Sequence, residues 1–208
     1  MIENFWVFVI AALLLNLTPG NDMLYVAARS TGQGVKAGVI SALGIMVGCT
    51  IHILLAVVGL SAIIAKSAIA FEIIKYVGAG YLIFLGVKAL AAKETKLDIK
   101  EANKPLSLNK IFWQGVLTNV LNPKVALFFL AFLPQFISID GVNTSWQILF
   151  LGSWFNVQGT LINITIALLF GKIGKWLSNS PRFILFQQRI TGIVLVALGI
   201  KVALTSKQ

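Results

Sequence analysis

The chain has 208 residues, 58% of them hydrophobic and 12% charged, with a mean hydropathy of +0.89. Soluble domains are nearer a quarter charged, so this composition excludes an ordinary soluble fold and puts the chain in a bilayer. The net charge of +10 does not mark a nucleic-acid binder, because the basic residues fall between apolar runs and no aromatic-basic RNA motif goes with them.

A membrane-crossing helix needs about 20 apolar residues at a rise of 1.5 Å each. Six stretches meet that measure: residues 5–27, 37–65, 71–91, 111–136, 146–170 and 190–204. The second is long enough to tilt, and the sixth is the shortest. The first is expected to stay as a span, since Glu3 stands where a signal peptide would have a basic cluster and no small-residue cleavage site follows. The single Cys49 excludes an intramolecular disulfide and a cysteine zinc cluster, and reads as a small packing residue.

Lysine and arginine set the orientation. Arg29 and Lys36 follow the first span; Lys88, Lys93, Lys96, Lys100, Lys104 and Lys110 follow the third; Lys172, Lys175, Arg182 and Arg189 follow the fifth. The opposite side has Lys66, Lys75, Lys201 and Lys207. The excess puts the odd-numbered connections in the cytoplasm and both termini outside. Residues 93–110 read as a solvated cytoplasmic linker between a first three-helix unit (1–92) and a second (111–208). Residues 171–189, with Trp176 and Phe183 among basic residues, read as an interfacial segment.

Two spans are interrupted near the middle. Asn16-Leu17-Thr18-Pro19-Gly20-Asn21-Asp22 breaks the first, and Asn119, Asn122, Pro123 and Lys124 break the fourth. Proline lacks an N–H and clashes with the carbonyl four residues back, which frees the carbonyls of Leu15 and Asn119. Pro19 lies roughly 21 Å and Pro123 roughly 18 Å into their spans, near the midplane. Matching breaks in two halves point to a transport site, where carbonyls hold an ammonium group and half-helix N-termini attract a carboxylate. An amino acid has both groups. The endings Leu85-Gly86-Val87-Lys88 and Leu198-Gly199-Ile200-Lys201 add a faint trace of an inverted duplication.

Asp22 is the one acid well inside a span, and an unpaired charge there costs a few kcal/mol. It reads as a proton carrier, as a partner for a substrate amine, or as a cap on a half-helix. Lys124 binds a carboxylate or pairs with Asp22. His52 reads as a relay or as a hydrogen-bonded packing residue, and its depth is expected to be in the outer half, away from Asp22 in the inner half. That separation argues against an acid–base enzyme site. Asn156, Thr160 and Asn163 share a helical face with Gln158 close by, and either line the path or join helices. Gly44 and Gly48 mean close helix packing. No Ser/His/Asp set, phosphate loop or metal cluster stands out, so neither an enzyme nor a cofactor is expected.

Asn16-Leu-Thr-Pro-Gly-Asn-Asp22 with Arg29, Gly44, Gly48 and His52, followed by Gly115-Val-Leu-Thr-Asn119-Val-Leu-Asn122-Pro123-Lys124 and Leu133-Pro134-Gln135-Phe136, resembles the LysE/RhtB amino-acid exporters over nearly the whole chain. The family's common Thr-Pro-Gly-Pro is broken here by Asn21. The resemblance implies a bacterial inner-membrane carrier that exports small neutral amino acids such as threonine, homoserine or leucine against protons. The expected architecture is all-α: a polytopic membrane protein with six transmembrane helices in two inverted three-helix repeats, surrounded by membrane lipid. Its glycine-rich faces would permit a homodimer. The expected substrate-contacting residues are Asn16, Thr18, Pro19, Gly20, Asn119, Asn122, Pro123 and Lys124, with Asp22 for proton coupling and His52, Asn156 and Gln135 as secondary candidates. The alternative is an exporter of a cation, a metal ion or another small organic solute. The scarcity of carboxylates, His and Cys in the spans counts against a cation exporter.

Overall fold

The computed structural model describes residues 5–66, 68–92, 105–138, 143–178 and 181–204. Among them the chain is helical: α1 (Phe5–Leu17), α2 (Asn21–Gln33), α3 (Val35–Lys66), α4 (Ala68–Leu90), α5 (Leu108–Val120), α6 (Pro123–Leu127), α7 (Thr144–Ser178) and α8 (Pro181–Leu204). Between α6 and α7, Phe128–Phe132 makes a turn of π-helix and Leu133–Phe136 a turn of 3₁₀ helix. Pro134 removes the N–H that Leu130 would bind in a regular helix, and the wider turn absorbs the mismatch.

Each proline break bends the chain. α1 and α2 meet at 48°, and α5 meets the run from Pro123 to Phe136 at 44°. α3 and α7 are long and apolar enough to cross a membrane, and each bent pair is too if counted as one crossing. α4 and α8 have 23 and 24 residues, about 35 Å of helix. Trp6, Ile10, Leu54, Leu55, Val58, Phe84, Leu161 and Leu168 are among many large apolar side chains on the outer surface. Water would not tolerate so wide an apolar exterior, and lipid favours it.

The helices meet through small residues. Gly44 and Gly48 of α3 face Gly115 and Val116 of α5, where a side chain on Gly48 would come within 2.7 Å of the Val116 carbonyl. These contacts advance together along both chains, so α3 and α5 run parallel. α7 runs against α3, with Gly152 beside Ile53 at one end and Gly171 beside Val35 at the other. α4 and α8 form the most extensive pair. There Gly86 sits on Gly192 and Val196, while Gly199 sits on Ala79 and Ile83. Moving each of the α4 residues 113 places along the chain converts the first set of contacts into the second. The beginnings of α1 and α7 therefore share one end of the molecule, and the α2–α3 junction and the start of α5 share the other.

Several boundaries differ from the hydropathy reading. The first span does not stop at 27: α2 continues through Arg29 to Gln33, and the turn into α3 is the single residue Gly34 at φ 85°, a conformation that favours glycine. α5 starts at Leu108, inside the expected linker, because Ser107 caps its N-terminus by accepting from the Lys110 N–H. α8 starts at Pro181, so the last helix is not the shortest; Gln187, Gln188 and Arg189 lower hydropathy without breaking a helix. Lys75, assigned by its charge to a connection, is buried in α4 with its ammonium 2.6 Å from Glu72 and over the Tyr76 ring. Residues 93–104 lie outside the described residues, as do the side chains of Trp176 and Phe183.

The close approach of α3 to α5 is testable. A Cβ on Gly44 would collide with the Phe112 carbonyl, whereas one on Gly59 meets nothing within 4 Å. Gly44→Ala is expected to destabilise by about 1–3 kcal/mol, and Gly59→Ala to be neutral or slightly stabilising through helix propensity. Thermal unfolding of the purified protein in detergent would compare the two, and equal midpoints would refute the packing account.

Candidate functional site

The two prolines leave two carbonyls without their helical partners, and both are used in the same way. Leu15 O, freed by Pro19, accepts the Thr18 N–H at 3.2 Å and the Lys124 ammonium at 3.2 Å. Asn119 O, freed by Pro123, accepts the Asn122 N–H at 2.9 Å and lies 3.0 Å from His52 Nε2. A carbonyl only accepts, so Nε2 carries the proton in that contact. Lys124 also donates to Thr18 O at 2.9 Å. Its ammonium thus bridges the end of α1 to the start of α6, and Gly20 leaves it room: a Cβ there would stand 3.1 Å from Nζ.

Asp22 lies in the first turn of α2, where the helix dipole favours a negative charge. Its Oδ2 accepts from Asn119 Nδ2 at 2.8 Å, deep in the interior. Its Oδ1 is buried without a hydrogen-bond partner, and so are Asn119 Oδ1 and Asn122 Nδ2. Three unpaired polar atoms around one carboxylate are unusual in a folded interior, where nearly every such atom is satisfied. A cavity of about 30 Å³ opens beside them, lined on its polar side by Asn16, Asp22, Asn119, Lys124, Asn156 and Asn163. Met23, Ile45, Cys49, Val125 and Phe155 supply the apolar side. That volume holds a water or two, which the orphaned atoms would bind, and no amino acid.

Of the residues singled out in the sequence, Asn16, Asp22, Asn119, Lys124, Asn156, Thr160 and Asn163 line this cavity. Asn16 is fixed by donating to Phe155 O at 3.2 Å, against Gly159. Asn156 both lines the cavity and joins helices, donating to Met46 O and Thr50 Oγ1. Asn122 Oδ1 caps α6 by accepting from the Lys124 N–H, leaving its amide nitrogen facing the cluster. Thr18 turns its hydroxyl back to Leu14 O and contributes its carbonyl, while Pro19 and Pro123 act through the backbone they disrupt. Gln135 donates to Ala131 O in its own segment and is not among the cavity residues.

One expectation fails. His52 and Asp22 were placed at different depths, yet both bond to Asn119, which brings them into one cluster. Measured from the shared α2–α3 end, Asp22 is 11 residues along α2 and His52 is 17 residues along α3. At 1.5 Å per residue that is roughly 17 and 26 Å, a difference bridged by Asn119, which meets Asp22 through its amide and His52 through its carbonyl. Cys49 lines the cavity as well as packing, and Thr191 of α8 donates to the Pro19 carbonyl at 3.4 Å. No pattern in the sequence marked Thr191.

Different chemistry flanks the cavity on its two sides. Toward the α2–α3 junction, Tyr25 donates to Ile111 O at 2.8 Å, Arg29 donates to Gln114 Oε1 at 3.2 Å and to Gln33 Oε1 at 3.1 Å, and Gln33 donates to Leu106 O at 3.0 Å. This polar clasp ties α2 to α5. Toward the opposite end, Phe8, Phe128, Phe132, Phe136 and Phe155 stack in one buried cluster, with Phe128 and Phe155 centroids 4.1 Å apart.

A family model described as LysE type translocator matches residues 13–206. The chain is 39% identical over 204 residues to the uncharacterized membrane protein YrhP of Bacillus subtilis (strain 168), covering 94% of this chain and 96% of that one. It is 31% identical over 154 residues to a leucine efflux protein of Salmonella choleraesuis (strain SC-B67), covering 74% and 73%. It is 26% identical over 200 residues to a leucine efflux protein of Enterobacter sp. (strain 638), covering 96% and 95%. No solved structure matches.

The Asn119–Asp22 bond yields a double-mutant test. Asn119→Ala deprives Asp22 of its donor and is expected to cost about 1–3 kcal/mol, whereas the same change in an Asp22→Ala background, which has no acceptor left, should cost clearly less. Unfolding free energies of the four proteins in detergent decide it, and strictly additive losses would show that the bond carries no coupling.

Proposed function

The chain belongs to the LysE type translocator family, and from that premise we propose that it exports small neutral amino acids, with leucine, threonine and homoserine as the class, by antiport against protons. The observation that carries this reading is the cavity between the two proline breaks. It sets one carboxylate, one ammonium and several amides against an apolar wall of Met23, Ile45, Val125 and Phe155. A zwitterion with an aliphatic side chain matches both halves. A dibasic amino acid would want a second acid, and Asp22 is the one carboxylate lining the cavity. The names of the two leucine efflux relatives agree with that choice.

In this reading the chain crosses a bacterial inner membrane six times, with both termini outside, as two inverted three-helix repeats. α1–α2, α3 and α4 form one repeat, and α5–α6, α7 and α8 the other. The paired contacts of Gly86 and Gly199 support the duplication, because a two-fold axis between α4 and α8 would generate one from the other. Alternating access then means opening either the polar clasp, on the cytoplasmic side, or the aromatic cluster, on the outer side. Asp22 carries the proton. Its one anchored oxygen and one open oxygen leave a position for a proton, a water or the amine of the cargo.

The main test is efflux of preloaded amino acids from vesicles, with and without an imposed proton gradient. One neutral amino acid is expected to leave in a gradient-dependent way, and Asp22→Asn is expected to slow that efflux by at least about tenfold, or about 1.4 kcal/mol in barrier. Transport by the variant at the parent rate would remove Asp22 as the coupling group. Failure of every amino acid to move in a folded preparation would remove the substrate class.

The clasp has its own readout in Cys49, the chain's single cysteine, which lines the cavity. Gln114→Ala and Tyr25→Phe are expected to speed its modification by a small charged thiosulfonate applied from the cytoplasmic face, with no change from the outer face. An unchanged rate from the cytoplasmic face would show that the clasp is not the inner gate.

A further inference from the structure

The position of Lys124 carries an inference about how the cargo is recognised, and it rests on the amino-acid reading above. Its ammonium is bound by two main-chain carbonyls, Leu15 O at 3.2 Å and Thr18 O at 2.9 Å, at the C-terminal end of α1. A helix C-terminus carries partial negative charge, and exposed carbonyls there suit a cation. Gly20 keeps the space around Nζ clear, since a Cβ would lie 3.1 Å from it. The same lysine lines the cavity together with Asp22 and Asn119, whose Oδ1 atoms are buried and make no hydrogen bond of regular geometry, with the Asn122 amide beside the Asp22 carboxylate. A primary ammonium has three N–H donors, and carbonyls hold two of those of Lys124. The interior therefore contains a built ammonium site filled by a side chain, beside acceptors that are still open.

We propose that the Leu15–Thr18 carbonyl pair is the ammonium subsite of the carrier and that Lys124 is its tethered occupant. The α-ammonium of the cargo takes the carbonyls, with the open oxygen of Asp22 as a further acceptor. The displaced Lys124 turns to the cargo's carboxylate. The exchange keeps every charge partnered: the carbonyls never lose their cation, and the lysine leaves them only when an anion has arrived. It also excludes molecules with a blocked amine, which could not replace Lys124.

The site can be tested without transport. Lys124→Ala deletes the atoms of a propylammonium ion, so n-propylammonium should refill the space. On the purified full-length variant in detergent it is expected to raise the unfolding midpoint saturably, by about 3–6 °C at ten times its dissociation constant. Sodium, tetramethylammonium and n-propanol should leave the midpoint where it is, and the parent chain should not respond. No shift in a folded variant would overturn the site, and an equal shift with sodium or tetramethylammonium would overturn its selectivity for primary ammonium. Should Lys124→Ala not fold, Lys124→Met keeps the length of the stem and lacks the ammonium, and ammonium ion carries the same test with the same two outcomes. Efflux by the parent chain is measured separately. Rescue without amino-acid efflux keeps the ammonium site and sinks the substrate reading, and efflux without rescue sinks the site.

Discussion

Two carbonyls in the middle of a membrane-like interior have lost their helical N–H donors, and the rest of the molecule is arranged to supply new ones. An unsatisfied carbonyl at that depth costs several kcal/mol, and lipid has no donor to offer. At each break the N–H three residues on closes part of the gap, and a side chain from another element closes the rest: Lys124 for Leu15 O, His52 for Asn119 O. Those side chains arrive only because α3 lies close against α5 and the two bent spans cross near their breaks. The glycines at 44, 48 and 115 allow the first approach, and Gly20 leaves space for the second. The packing and the polar centre are thus one constraint: without the contacts the carbonyls would be stranded, and without the carbonyls the lysine and histidine would have no place.

The two breaks are equivalent in backbone and opposite in chemistry. One binds the Lys124 side-chain nitrogen on a flexible stem; the other binds an imidazole stacked on the Phe129 ring, at 6.1 Å and nearly parallel. Asn119 joins them, because its carbonyl takes His52 while its amide takes Asp22. A change in the charge on Asp22 is felt directly by the residue that precedes the second break. Coupling between a proton and a helix bend needs no longer path than that.

Much of this arrangement was legible in the sequence because its causes are local. Proline's missing N–H and its clash four residues back identify Leu15 and Asn119 by arithmetic alone, and small residues spaced by four mark the close helix contacts. The helix ends were not legible, since hydropathy reports where the solvent changes and not where hydrogen bonding stops. Arg29 and Gln33 look like a loop to a hydropathy window, yet they continue α2. Which partner Lys124 would choose was a three-dimensional question. Free carbonyls were expected to hold the ammonium of a substrate, but they hold one that belongs to the chain.

The two flanks of the cavity are held by different forces. Hydrogen bonds in the clasp join α2 to α5 through amide, guanidinium and phenol groups, and water reaching that end can replace each of them, so their net worth is about 1 kcal/mol apiece. The aromatic cluster is held by buried apolar area, which water cannot replace, and separating the rings exposes all of it. Parting the clasp therefore costs less than parting the rings, which in the proposed orientation makes inward opening the easier step. In the proposed cycle that asymmetry keeps the unloaded carrier from leaking, and the apolar wall and aliphatic cargo offset part of the cost of parting the rings. In that proposal the clasp side selects by charge and hydrogen bonding, and the aromatic side responds to apolar contact. An aliphatic zwitterion, the proposed cargo, satisfies both in turn.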